Sequence, residues 1–332
     1  MVIKGKEGSN GNSFAPWSIL VLRMKRAGGF EKPATLLLAL ALDLGAGEPP
    51  ARIHPVVGMG KLIELCVRRA PKGPRRELVY GTACAALVPL VPALGAGLSL
   101  QALKPGPLRL VAGAWLLKSC FAYRALEKAA YAVAEPLAAD DLPAAREALL
   151  ALVSRDRSKL DASEVSAAAI ESLAENLSDG FVAPLLAYAV GGLPATVSYR
   201  AANTADSMIG YRGEYEHLGK AAARLDDALN LIPARLTALM ILVVSDANVG
   251  GVWRALVGDH DKTPSPNAGW PMAAAAGALD VSLRKPGSYC LNEAAREPCP
   301  KDIHSAISLV RRAAALCAVF ALVITVLGKK VA

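Results

Sequence analysis

Residues 79–103 read VYGTACAALVPLVPALGAGLSLQAL, a run without one charged side chain. A membrane-spanning helix needs about 20 consecutive apolar residues, so this stretch is long enough to cross a bilayer, and it decides the fold class. The rest of the chain agrees with it. Of 332 residues 53% are hydrophobic and only 20% charged, and the mean hydropathy is +0.34, more apolar than a soluble domain requires. Residues 180–199 are also uncharged but are broken by Pro184, Gly191, Gly192 and Pro194, while 236–245 and 313–327 are apolar runs bounded by arginines. Broken helices are tolerated at membrane depth where protein or a wet cavity surrounds them. The expected fold is all-α, a polytopic membrane helical bundle with amphipathic and broken helices, and four to six membrane segments.

The charge balance locates the ends of these segments. The net charge is +8, and Lys4, Lys6, Arg23, Lys25, Arg26 and Lys32 make residues 1–32 a basic, flexible tail ahead of a single integral membrane domain over 33–332. The following loop, with Lys61, Arg68, Arg69, Lys72, Arg75 and Arg76, is basic too. Both favour the cytoplasm, so the short apolar stretch 36–42 between them is expected not to cross. Nucleic-acid binding is excluded as a partner class, because the basic residues flank apolar runs and carry no aromatic stacking face. The segment 17–22 is too short, and lacks a cleavage site, for a signal peptide. Six cysteines without a CxxC pair argue against a thiolate metal centre or a disulfide framework.

Polar chemistry concentrates in 155–235. Asp161 and Glu164 form a capping box that starts a helix over 161–176. Glu164, Glu171 and Glu175 then share one face of it. The ordinary reading of that face is solvated; the functional one makes Glu171 and Glu175 catalytic, because the helix runs straight into Asn176, Asp179 and an apolar segment. Asn203 and Asp206, and Asp227 and Asn230, lie three apart, with Asp226 adjacent. On facing helices such oxygen donors collect a hard cation, and magnesium needs only a few carboxylates besides substrate phosphate. Asp206, Asp226 and Asp227 are the candidate metal ligands; helix capping is the plainer account of Asn203 and Asp227. Arg155, Arg200, Arg224 and Arg235 are interleaved with these acids, and a guanidinium fork suits phosphate or carboxylate. Arg155, Asn176, Asp179, Asn203, Arg224, Asn230 and Arg235 are therefore candidate substrate contacts.

Two outlying elements complete the candidate set. His54, in PPARIHPVVGMG, sits between proline turns and is either structural or an acid, base or phosphate ligand. Asn267, in SPNAGWPMAAAAGALDV, is a candidate substrate contact beside Trp270, a tryptophan whose plainer role is at the membrane interface. Phosphate-loop, GxGxxG, GxSxG and HExxH motifs are absent from the sequence. Helical aspartates with magnesium also fit a membrane prenyl- or phospho-transferase, to whose sites NTADS bears some likeness, and Pro-broken helices with intramembrane acids fit a transporter.

Six blocks, LDLGAGEPPARIHPVVGMGKLI, RDRSKLD, ESLAENLSDGFVAPLLAYAVGG, YRAANTADSMIGYR, ARLDDALNLIPARLTAL and SPNAGWPMAAAAGAL, occur in the order and approximate spacing of the cobalamin biosynthesis CobD/CbiB family. The resemblance runs from about residue 36 to about 327. It implies an integral, multi-pass protein of the cell membrane, an adenosylcobinamide-phosphate synthase, which is a carbon–nitrogen ligase. Such an enzyme joins a propionate carboxylate of a corrinoid, adenosylcobyric acid, to the amine of aminopropanol phosphate, with ATP and magnesium (Mg2+) as expected cosubstrate and metal. A corrinoid is large, so an open, membrane-facing cavity is expected.

Overall fold

The computed structural model describes residues 16–153, 156–211, 213–246 and 249–328, with side chains from residue 31 onward. Twelve α-helices and one hairpin make up these residues. Helix α1 (Pro16–Ala46) contains the apolar stretch 36–42 and carries straight through position 32. Next, α2 (Pro55–Arg68) leads to α3 (Pro74–Ala102), the long uncharged span. Two shorter helices follow, α4 (Pro107–Lys118) and α5 (Tyr123–Ala138), and then α6 (Leu142–Ala148) with a 3-10 turn at Leu149–Ala151.

The interior of the bundle is α7 (Ala162–Leu177), started by the expected capping box. Glu164 N–H donates to Asp161 Oδ1 at 2.8 Å and Asp161 N–H to Glu164 Oε2 at 2.9 Å. Every residue from Val165 to Ala174 is buried. A helix apolar all round is a core helix, and here small alanines let neighbours close on every side. The solvated-face reading of the three glutamates consequently fails at Glu171, which is 5% exposed. A π-helical turn (Ser178–Val182) passes without a loop into α8 (Ala183–Ile209), which kinks at Gly192.

Helix α9 (Lys220–Val244) packs against α8, followed by α10 (Val249–Asp259) and α11 (Gly269–Leu279). The two strands named among the described residues form an antiparallel hairpin, β1 (Leu283–Lys285) with β2 (Tyr289–Leu291), Leu283 opposite Leu291. The last helix, α12 (Pro300–Leu327), begins where Asp302 receives two 2.7 Å bonds from the Arg296 guanidinium.

Four stretches among the described residues are long and apolar enough to cross a membrane: Pro74–Ala102, Ala162–Ile209, Lys220–Val244 and Pro300–Leu327. Their outward faces explain the high hydropathy. Leu87, Leu90, Val91, Leu94 and Leu98 on α3, Ile232 and Val243 on α9, and Val319, Phe320 and Val323 on α12 are all exposed. Apolar surface this extensive marks contact with lipid or protein rather than water.

Close approach between α3 and the segment preceding α9 depends on Gly81, where an added Cβ would run into the Leu218 carbonyl. Gly81→Val is expected to lower stability by about 1–3 kcal/mol through overpacking, read as a lower unfolding temperature in detergent. An unchanged unfolding temperature would show that the segment around Leu218 yields freely.

Candidate active site

The C-terminal half of α8 and the N-terminal half of α9 lie against each other, and their polar residues mesh into one hydrogen-bonded chain. Arg200 Nη1 donates to Asn203 Oδ1 at 3.1 Å, and Asn203 Nδ2 to Asp226 Oδ1 at 3.3 Å. From the other side Tyr199 Oη donates to Asn230 Oδ1 at 2.8 Å, and Asn230 Nδ2 to Asp226 Oδ2 at 2.9 Å. Each amide thus accepts at its oxygen and donates at its nitrogen, which fixes the orientation of both. Asp226 and Asn230 are buried at the centre of this chain. Burial of a carboxylate is tolerated only when its lone pairs are met, and the two asparagines meet both oxygens. Because Asn203 and Asp227 are mid-helix, the capping account of them is discarded.

A third element closes the site. Asn267 Nδ2 donates to the Asp227 carbonyl at 2.7 Å, and Ser265 Oγ to Asp227 Oδ1 at 3.4 Å. Arg235, on the same helix as Arg224, reaches Asn267 Oδ1 at 3.4 Å and lies 4.6 Å over the Trp270 ring, whose partner His260 sits at 4.2 Å. Trp270 thus carries the Arg235 guanidinium on its ring beside Asn267, a pairing between residues 35 positions apart that no local spacing discloses.

The π turn brings α7's acids to the same place. Tyr199 Oη also lies 3.1 Å from the Asp179 carbonyl. Glu175, Asp206 and Asp226 are within electrostatic reach of Asp179, and Asp226, Asp227 and Glu175 are within reach of Asp206. Arg224 opposes Asp227. Glu171 and Glu175 line a cavity of about 290 Å3 with Ser172, Tyr211, and, from the hairpin, Lys285 and Tyr289. Asn176 Nδ2 donates to Ser172 at 2.9 Å.

Donor chemistry in the cluster suits a hard cation. Asp206 makes no side-chain hydrogen bond among the described residues, and Asp227 commits only one carboxylate oxygen to Ser265. Among the described residues no three His, Cys, Asp or Glu side chains form a metal cage by themselves, as is usual for magnesium, which keeps waters and shares substrate phosphate oxygens.

Arg155 lies outside the described residues, and one expected residue, His54, stands apart from the cluster. His54 caps α2, its Nδ1 3.2 Å from the Val56 amide it accepts from, and its Nε2 is 3.0 Å from Glu48 Oε2. Glu48 in turn meets Lys118 at 2.6 Å, and Lys118 meets Asp43 at 3.0 Å. Both ring nitrogens are thereby engaged in holding the turn-rich loop in place. A lysine that ends an apolar run reads as a surface residue, yet Lys118 is 2% exposed.

The model of the CobD/Cbib protein family matches residues 36–317. The chain belongs to the CobD/Cbib family. It is 45% identical over 287 residues to the cobalamin biosynthesis protein CobD of Dehalococcoides mccartyi, covering 83% of this chain and 92% of that one. With the protein of the same name from Rhodobacter capsulatus it shares 43% over 298 residues, 85% of this chain and 94% of the relative. The probable CobD of Methanothrix thermoacetophila is 37% identical over 310 residues, 89% and 97% of the two chains. No solved structure matches. The family match spans α7, α8, α9 and α11, and so contains every residue of the polar chain around Asp226.

Proposed function

We propose that this chain works in cobalamin biosynthesis as an adenosylcobinamide-phosphate synthase, ligating a corrinoid propionate to the amine of aminopropanol phosphate. The observation that carries the reading is the buried Asp226 held by Asn203 and Asn230, ringed by further carboxylates and by Arg200, Arg224 and Arg235, inside helices apolar enough for a membrane. Family membership and relatives named for cobalamin biosynthesis support it.

Of the three expected aspartates, Asp206 and Asp227 would hold magnesium together with waters and substrate phosphate oxygens, and Asp226, whose two oxygens accept from Asn203 and Asn230, would add its charge beside them. Magnesium and ATP, when bound, would supply a charge-screened phosphoryl donor, the γ-phosphoryl group passing to the carboxylate oxygen as ADP leaves. The protein's own residues do the rest. Arg224 and Arg235 contact anionic oxygens, and Asn267, braced on Asp227, positions the loop beside them. Amide formation requires a neutral amine, so Glu171 or Glu175 takes the proton of the incoming ammonium before nitrogen attacks the acyl carbon and phosphate departs. Helices α7 and α8, with α9, keep the centre dry, and low water favours aminolysis over hydrolysis.

Membranes carrying the protein should convert adenosylcobyric acid, aminopropanol phosphate, ATP and magnesium to a corrinoid with the mass of the amide, and omission of any one component should stop it. Accumulation of no such product from intact, folded protein would refute the ligase assignment. The variant Glu175→Gln or Glu171→Gln that removes the base is expected to slow turnover by about 10²–10⁴-fold. Alkaline buffer should restore part of the rate, since it supplies neutral amine directly. Rate–pH profiles identical to wild type in both variants would take these glutamates out of the proton transfer.

A further inference from the structure

Two cations meet at the end of the bundle away from the aspartates. Helix α1 brings Lys32, whose Nζ donates to the Ala189 carbonyl at 2.8 Å and lies 5.8 Å from the centre of the Tyr188 ring. Helix α4 brings Arg109, whose Nε pairs with Glu31 at 2.7 Å. Neither cation is used up by these partners. The Lys32 ammonium has two further N–H groups and forms no ion pair among the described residues, and the Nη groups of Arg109 have no partner there either. Both side chains keep accessible surface, 30% in the case of Arg109. With Glu31 counted against them, one positive charge is left over.

Lys32 and Arg109 line a cavity of about 280 Å3 with Thr35, Gln101, Tyr188 and Gly192. It opens where the last turns of α3 face the kink of α8, which Gly192 makes at φ 70°. At this level the long uncharged span of α3 gives way to Lys104. A span of that length ends at the bilayer surface, so the cavity lies at the depth of lipid headgroups. Its rim is apolar. Leu37, Leu98, Leu108 and Val190 are exposed, one on each of the four helices, and each stands within two residues of one that lines the cavity. Surface of this kind suits acyl chains, and basic pockets between membrane helices hold anionic headgroups. A soluble phosphate would meet the two cations and leave the rim bare.

We infer that this cavity holds the headgroup of an anionic phospholipid, its phosphodiester bound by Lys32 and Arg109 and its acyl chains lying along the exposed leucines of α3 and α4. The site is independent of the proposed ligation. Pro194, which lines it, and Asp206 lie on one unbroken stretch of α8, about 18 Å apart at 1.5 Å per residue. A phosphodiester carries one negative charge and several acceptor oxygens, which matches one surplus positive charge with several free donors. A zwitterionic headgroup brings its own ammonium to a site already net positive, so the cavity selects against it. Bound lipid joins α1 to α4 and, through the Ala189 carbonyl, to the kink of α8, and so stabilises the fold.

The test uses the full chain in mild detergent with mixed micelles of dioleoylphosphatidylglycerol or of dioleoylphosphatidylcholine, and glycerol 3-phosphate as the headgroup alone. Native mass spectrometry counts retained lipid, and a melting curve reads stability. Wild type should retain phosphatidylglycerol about tenfold over phosphatidylcholine, the scale of one charge-assisted hydrogen bond, and should melt higher with it. Glycerol 3-phosphate at the same concentration should leave the melting curve where it was. Lys32→Gln combined with Arg109→Gln should remove the preference. Gly97→Leu, which fills the cavity and keeps both cations, should remove it too, and it replaces the double variant if that one fails to fold. Arg75→Gln combined with Arg76→Gln takes away the same charge at the other end of α3 and should leave the preference intact. Equal retention of the two lipids by wild type overturns the site. So does an equal loss of preference in the Arg75 and Arg76 variant, which means general attraction to a basic protein, and so does a full melting shift with glycerol 3-phosphate, which marks a site for a soluble phosphate.

Discussion

Asp226→Asn is expected to lower amide synthesis by about 10²–10³-fold, the scale of removing one preorganised electrostatic group from an active centre, while the protein still folds. The substitution keeps the shape of the side chain and takes away its charge. Asn203 and Asn230 both present Nδ2 to Asp226, so an amide there offers one acceptor where two are needed. One of the asparagines must flip, and the flip propagates to Tyr199 or Arg200, the next members of the chain. Magnesium dependence should also move to higher concentration, since the charge holding the cation falls. Asp227→Asn makes the informative comparison, because its carboxylate bonds only Ser265 and leaves the asparagine relay intact. A similar rate loss there, with unchanged binding of aminopropanol phosphate, assigns the effect to the cation. Wild-type turnover and magnesium dependence in both variants would remove the carboxylates from the chemistry.

The parts of this site that sequence disclosed are those with a local cause. A capping box and a three-residue spacing depend on neighbours a turn apart, so the start of α7 and the shared helical faces of Asn203 with Asp206 and of Asp227 with Asn230 follow from helical geometry alone. Burial of Glu171 does not. Its helix carries three acids on one face, which reads as solvated, but alanines on the remaining faces allow α5, α11, α12 and strand β1 to enclose it. That is a property of what packs around a helix rather than of the helix. The π turn at Ser178–Val182 leaves no periodic trace in five residues.

Other misses had a signal that was available. Lys285-Pro286-Gly287-Ser288 places proline and glycine at the two central positions of a type II turn. The structure closes that turn with Ser288 N–H on the Lys285 carbonyl at 3.0 Å and Gly287 at φ 71°. The hairpin it makes carries Lys285 and Tyr289 to the cavity of Glu171 and Glu175. The break between α4 and α5 had no such mark. No glycine or proline interrupts residues 119–122, and the chain turns there because Lys118 is drawn inward to Asp43, Glu48 and the Phe121 carbonyl.

Lys118→Met is accordingly expected to destabilise the protein by about 3–5 kcal/mol, the cost of leaving a buried charge without its partner. Lys118 and Asp43 are each only 2% exposed. Asp43 keeps a 3.0 Å bond from the Arg124 amide, but one amide does not replace an ammonium. Burial already raises the Asp43 carboxyl above its ordinary value of 3.8, with Lys118 the main force pulling it back down. A carboxyl whose folded value is raised binds its proton more tightly in the fold than in the unfolded chain. Its ionisation therefore erodes stability as pH rises above the unfolded value and through the folded one. Without Lys118 the folded value climbs further, so the deficit of the variant should be largest at neutral pH and shrink on acidification towards that raised value. Adding Asp43→Asn to Lys118→Met should recover much of the loss and flatten its pH dependence, because no buried charge then remains at that position. Because Glu48 also loses its ammonium, and Glu48 holds His54, the single variant should loosen the loop over residues 47–54 first, seen as faster amide exchange there than in α7. Equal unfolding temperatures for wild type and Lys118→Met across pH 5 to 8 would show that water reaches this network and that the loop is held by other means.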